Sequence, residues 1–196
     1  MEKLFKKEIK LKTEGPFNLV GKNNLFDVPE NKLSGLYLLT FKYKDGYLVE
    51  YVGITTKRSY EIRFREHIHE ILSGGYKLYD LDKLMKDEDF VVWNGRFGKE
   101  KGKTIDFLNN YKKFTSFIEK LLKSYKIFFI PTDLDQRTVE RIEGAIYEIF
   151  KKKNDKKVRQ FIEGVRYKAR RENEEPVDFI LESDVKLINI PNNFQV

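Results

Sequence analysis

Two runs of apolar and aromatic residues, Gly35 to Tyr43 and Tyr47 to Ile54, flank a short polar break at Lys44-Asp45-Gly46. Asp-Gly between such runs predicts a β-hairpin, because the turn needs positive φ and glycine adopts it at little cost. Leu36, Leu38 and Thr40 alternate with Tyr37, Leu39 and Phe41, so both faces of the first strand carry apolar groups and both are predicted to be covered. After Gly53 the period lengthens. Tyr60, Phe64, Ile68, Ile71 and Leu72 form a stripe at helical spacing. Thr55, Thr56 or Ser59 can cap that helix and Gly74-Gly75 can end it.

A second strand and helix follow much later. Tyr125 to Pro131 is a compact strand closed by proline, and Val139, Ile142, Ile146 and Ile149 make the next apolar stripe, with Asp135 or Thr138 as its cap. Residues 76–124 lie between the two units and read as an insertion. It holds a short helix through Leu78 and Met85, a hairpin about Asn94-Gly95 joining Phe90–Trp93 to Arg96-Phe97, a polar loop from Gly98 to Lys103, and one helix from Ile105 to Ser124. The first 33 residues read as an irregular arm. Val158, Phe161, Ile162 and Val165 predict an amphipathic helix, Pro176 breaks it, and short extended stretches follow. The fold class is therefore α/β of the α+β kind. A small central antiparallel sheet of three strands is flanked by helices, with an inserted helical and hairpin region and a basic C-terminal helix. The units are an arm (1–33), a core (34–154, insertion 76–124) and a basic extension (155–196) belonging to the same domain.

Composition narrows the chemistry. Among 196 residues there is no cysteine, and the histidines are His67 and His69. Disulfides and zinc–thiolate sites are excluded, and any metal site must be built mainly from oxygen, which suits Mg²⁺ or Mn²⁺. No run of about 18 apolar residues predicts a membrane span, and the N-terminus is too charged for a signal peptide, so a cytoplasmic protein is expected. The net charge of +7 and pI of about 9.3 favour a polyanionic partner. Between Lys151 and Arg171 ten basic residues face two acidic ones, a local surplus of eight that exceeds the surplus of the whole chain. Lys151, Lys152, Lys153, Lys156, Lys157, Arg159, Arg166, Arg170 and Arg171, with Lys57 and Arg58 ahead of the first helix, are the expected DNA contacts.

The hairpin and first helix also carry groups suited to phosphate chemistry. Tyr37 and Tyr51 stand on the strands, and Arg63 and His67, four residues apart, share one helix face. Glu140 and Glu143 flank the apolar stripe of the later helix. Gly35-Leu36-Tyr37, Tyr51-Val52-Gly53, Arg63, His67 and a glutamate within Ile142-Glu143-Gly144-Ala145-Ile146 together resemble the GIY-YIG nuclease family. Leu and Val replace the two isoleucines of its tripeptides, and thirteen residues separate them. The asparagine that members often carry after the glutamate helix has only Asn154 as a candidate, without the usual apolar and proline context. The resemblance implies the GIY-YIG fold and a Mg²⁺-dependent endonuclease that hydrolyses phosphodiester bonds of double-stranded DNA. A stand-alone bacterial or phage-encoded restriction enzyme of type II, cutting as a homodimer, is the first expectation. A phage or mobile-element homing or stand-alone nuclease and a non-catalytic DNA-binding member are the alternatives. It also implies roles: Tyr37 activates the water, Tyr51 and His67 position or relay, Arg63 stabilises the transition state, and Glu143, with Glu140 as competitor, binds the metal.

Overall fold

A computed structural model describes residues 8–96, 103–153 and 167–196. The N-terminal segment forms strands β1 (Glu8–Lys12) and β2 (Glu14–Asn18). The hairpin follows as β3 (Gly35–Tyr43) and β4 (Gly46–Thr55), then helix α1 (Tyr60–Leu72). The insertion contains β5 (Leu78–Tyr79), α2 (Leu81–Met85), β6 (Val91–Trp93), α3 (Lys103–Asn109) and α4 (Tyr111–Ser124). Strand β7 (Tyr125–Pro131) and helix α5 (Gln136–Lys152) come next. The chain ends in β8 (Asp178–Glu182), β9 (Leu187–Ile188) and β10 (Asn193–Gln195). The protein is thus a mixed α/β fold, and among the described residues no helix is long and apolar enough to cross a membrane.

The main sheet has five strands in the order β2-β7-β3-β4-β9, not the three expected. Its centre, β7-β3-β4, is antiparallel as predicted. The two additional strands come from the chain's ends: β2 pairs antiparallel with β7, and β9 parallel with β4. They cover edges that would otherwise present rows of unpaired N–H and C=O groups. From Glu8 to Asn18 the N-terminal arm is therefore not irregular. Its β1 joins β8 and β10 in a second sheet of three strands.

The two faces of β3 enter different cores, as the alternation predicted. Tyr37, Leu39 and Phe41 pack toward α1 and the insertion; Leu36 and Leu38 pack toward α5 and the second sheet. Inside the insertion two expectations change. Strand β6 pairs with β5, and Phe97, on the far arm of the expected hairpin, lies outside the described residues. The turn instead folds the chain back onto the end of α1, where Trp93 Nε1 and Arg96 N both donate to the Gly74 carbonyl, at 2.8 and 3.0 Å. The helix expected from Ile105 to Ser124 is two helices that meet at Asn110, and the break lets Phe107 and Phe114 stack with ring centroids 5.4 Å apart. Seven residues of straight helix would separate them by about 10 Å. The polar loop before α3 lies largely outside the described residues, as do the amphipathic basic helix, Asn154, Lys156, Lys157, Arg159 and Arg166.

Asp135 caps α5, accepting from Thr138 N at 3.0 Å. The chain after Tyr167 crosses this helix at Gly144, where a Cβ would lie 2.7 Å from the Ala169 nitrogen. Arg137 grips Glu174 through Nε and Nη2, both at 2.7 Å, and Arg141 Nη2 donates to the Glu175 carbonyl and to the Val196 oxygen, each at 2.6 Å. Hydrogen bonding by Arg137 pulls the Glu174 carboxyl from its ordinary 4.5 to about 2. A depressed carboxyl stabilises the fold above its unfolded value and ceases to do so as pH falls through its folded value. The stability gap between wild type and Glu174→Gln in urea titrations should therefore be full above pH 4.5 and close as pH falls toward about 2.

Candidate active site

The site starts from the hairpin register. Tyr37 lies opposite Gly53 and Leu39 opposite Tyr51, so both tyrosines stand on the α1 side of the sheet. A Cβ on Gly53 would lie 2.3 Å from Tyr37 Oη and 2.6 Å from Tyr51 Cε1. Glycine at this position is what lets the two rings lie over the strand. Ser59 caps α1, accepting from Ile62 N. The helix then lays Tyr60, Phe64 and His67 against the sheet, with Phe64 edge-on to Tyr37 at 5.0 Å.

This packing aligns one turn of α1 with the Tyr37 hydroxyl. Arg63 Nε donates to Tyr37 Oη at 3.0 Å, and His67 Nε2 lies 2.7 Å from the same oxygen. Tyr37 and His67 are 0% and 2% exposed. Burial, and then the positive charges of Arg63 and Arg58, hold His67 well below its ordinary 6.5. The imidazole is therefore neutral near pH 7. The Tyr37 hydroxyl, which accepts from Arg63, can donate its own proton to an unprotonated Nε2. Burial, and then Tyr51, push the Tyr37 hydroxyl well above its usual range, and Arg63 opposes that shift.

In front of this buried group opens a cleft of about 620 Å³, lined by Tyr51, Lys57, Arg58, Arg63, Glu143 and Tyr147 among others. Tyr51, unlike Tyr37, reaches it. Burial raises the Tyr51 hydroxyl, the Glu143 carboxylate raises it further, and Arg63 and Tyr37 pull it back. Tyr147 fixes α5 against the strand bearing Tyr51-Val52-Gly53, donating to the Val52 carbonyl at 3.2 Å. Glu143 stands one turn before Tyr147 and is 7% exposed. Glu140 accepts from Gln136 at 2.9 Å and does not line the cleft.

The structure thus brings Tyr37, Arg63 and His67 into one hydrogen-bonded group and Tyr51, Arg63 and Glu143 into one cleft. Arg63 belongs to both. Lys57 and Arg58 line the cleft; Lys151, Lys152, Lys153, Arg170 and Arg171 do not. Gln136, Tyr147 and Tyr167 also line it and were not singled out in the sequence. Tyr147 was within reach of sequence reasoning, since it stands four residues after Glu143 on the same helix face. Among the described residues no group of three or more His, Cys, Asp or Glu could hold a metal. Among the described residues Glu143 is the acidic side chain lining the cleft, and one carboxylate fits a hard cation that keeps most of its water, as Mg²⁺ does.

Comparison with protein-family models, with curated proteins and with solved structures finds no match to this chain. The cleft's own chemistry therefore carries the functional reading. Gly53 is the sharpest structural test of the arrangement. Gly53→Ala should destabilise the fold by about 2 kcal/mol, as overpacking does, in urea titration. It should also disturb the near-ultraviolet signal of the tyrosines. An unchanged spectrum and stability would contradict the close approach of Tyr37.

Proposed function

We propose that this chain is a Mg²⁺-dependent DNA endonuclease of the GIY-YIG superfamily, of the type II restriction kind. The observation that carries the reading is the meeting of Tyr51, Arg63 and Glu143 in one cleft flanked by Lys57 and Arg58, with the Arg63–Tyr37–His67 group behind it. In this reading strands β3, β4 and β7 with helices α1 and α5 are the counterpart of that fold's core, and β2 and β9 are additions to its sheet.

Phosphodiester hydrolysis needs a deprotonated water, neutralised phosphoryl oxygens and a stabilised leaving oxygen. Glu143 would hold the cation, which when bound neutralises phosphoryl charge and stabilises the leaving oxygen. Arg63 has Nε on Tyr37 and Nη1 on Glu66 at 2.9 Å. Its side chain lines the cleft, where its N–H groups can meet a phosphoryl oxygen. Lys57 and Arg58 supply charge for the flanking phosphates.

Tyr51, rather than the buried Tyr37, meets the attacking water. As the water's oxygen bonds to phosphorus, its proton goes to Tyr51 Oη. The proton of Tyr51 moves to Tyr37 Oη, and that of Tyr37 to His67 Nε2. The P–O bond to the leaving oxygen breaks, and that oxygen takes a proton from solvent. His67 afterwards returns its proton to solvent. A neutral histidine is what this relay requires as acceptor.

Supercoiled plasmid should be nicked or linearised with Mg²⁺ or Mn²⁺ and stay intact with EDTA. Glu143→Gln should lower the cleavage rate on the order of a thousandfold, the size of several kcal/mol of lost transition-state stabilisation, while duplex binding in a mobility-shift assay is retained. No cleavage by wild type with any divalent cation would refute the nuclease reading.

A further inference from the structure

Strand β4 is irregular at Glu50. Leu39 pairs with Tyr51 but Thr40 pairs with Val49, so Glu50 is the additional residue of a β-bulge. Bulges re-aim side chains. Here Leu48 and Tyr51 pack toward α1 while Val49 and Val52 pack toward α5. Without the bulge, strict alternation would send Glu50 and Tyr51 to opposite faces. With it, both line a small cavity of about 60 Å³ on the α1 side, together with His67, Tyr76, Lys77 and Tyr79.

His67 itself lines this cavity, and Tyr37 meets the ring only at Nε2. The Nδ1 atom is buried and makes no hydrogen bond within the protein. If Nε2 receives the Tyr37 proton, Nδ1 must carry the ring's hydrogen and needs an acceptor. The cavity exceeds the space one water requires, and a buried water is held by polar partners of this kind. The charges around His67 are otherwise unfavourable to an imidazolium. Arg63 lies on its own helix, Arg58 in the loop before it, and Lys77 in the cavity wall. Tyr37, Tyr51, Tyr76 and Tyr79 are phenols. Among the described residues Glu50 is the acidic side chain lining the cavity.

We propose that Glu50 is a positioning residue whose carboxylate, through one water, accepts the Nδ1–H of His67. This contact fixes the tautomer that takes the Tyr37 proton and offsets the imidazolium formed during hydrolysis. The arrangement follows the logic of a carboxylate behind a histidine base, where the acid orients the ring and stabilises its charged form without taking the proton. The catalytic half rests on the nuclease reading; the tautomer does not.

The test uses the full chain, Glu50→Gln, and Glu50→Asp as the conservative partner. Nitrogen-15 NMR of labelled histidine, without DNA, should find wild-type His67 protonated on Nδ1 and not on Nε2. Its protonation midpoint should fall in Glu50→Gln, because a carboxylate favours the imidazolium. On plasmid, Glu50→Gln should lower kcat roughly tenfold to a hundredfold with KM unchanged, and Glu50→Asp should recover part of the loss. Two results would overturn the proposal. One is an Nε2-protonated His67 in wild type. The other is a Glu50→Gln protein with reduced stability but unchanged His67 midpoint and kcat, as expected if Glu50 only neutralises Lys77. Should wild type cut no DNA, the nuclease reading falls while the NMR still decides the role of Glu50.

Discussion

A phenol sealed from water must find its hydrogen bonds within the protein, and Tyr37 finds them on a single turn of helix. Arg63 donates to its hydroxyl and His67 lies at hydrogen-bond distance on the other side. An unsatisfied buried hydroxyl costs about 1–3 kcal/mol, and a buried guanidinium or imidazole left without it costs more. The three groups therefore hold one another, and α1 can sit against β3 in only one rotation and one register. The neighbouring features follow from that constraint. Gly53 carries no Cβ because the phenol lies over it. Phe64 and Tyr60 on the same helix face close the apolar surround. That surround in turn keeps the dielectric low and His67 neutral.

The other half of the cleft depends on a separate core. Helix α5 packs on the opposite face of the main sheet, where Leu36, Leu38 and Val52 meet Val139, Ile142 and Ile146. Glu143 reaches the same cleft as Arg63 because Tyr147 hydrogen-bonds to β4 at Val52, next to Tyr51. Two cores thus converge on one short piece of strand, Tyr51-Val52-Gly53. Its side chains alternate between them, and its glycine admits Tyr37. A strand used from both sides tolerates little movement, which suits groups that must be held in fixed geometry for chemistry.

The parts of this arrangement legible in the sequence are those with strong local periodicity. The hairpin, α1, β7 and α5 each carry a period of two or 3.6, and Arg63 with His67 follows from helical spacing alone. What was not legible depends on distant partners. Strand β2 contains Gly15-Pro16 and β9 has two residues, so neither carries a pattern of its own, and both exist because an edge was there to pair with. Tyr37 and Tyr51 look equivalent in the sequence, being strand tyrosines on one face. Only the packing of α1 and α5 over them separates the buried Tyr37 from Tyr51, which faces the cleft. The bulge at Glu50 lacks a glycine or proline to announce it, and moving one carboxylate to the other face of a strand leaves no compositional trace.

Two of the cleft's cations, Arg58 and Arg63, share one carboxylate before any phosphate arrives, and this shapes how the site can act. Glu66 pairs with both Arg58 and Arg63. Its side chain is 38% exposed and that of Arg58 is 43% exposed, so the Arg58 contact is a surface pair of at most about 1 kcal/mol. A phosphodiester can displace such a pair at small cost, since it offers the same guanidinium an equal or better acceptor. Arg63 is held differently. Its side chain is 21% exposed and its Nε is committed to Tyr37, so exchanging Glu66 for phosphate would leave its anchor to the relay intact. Arg58 is thus the adaptable contact and Arg63 the fixed one. Under the proposed nuclease function, a fixed guanidinium shared between a phosphoryl oxygen and the hydroxyl of Tyr37 would couple substrate binding directly to the proton path behind it.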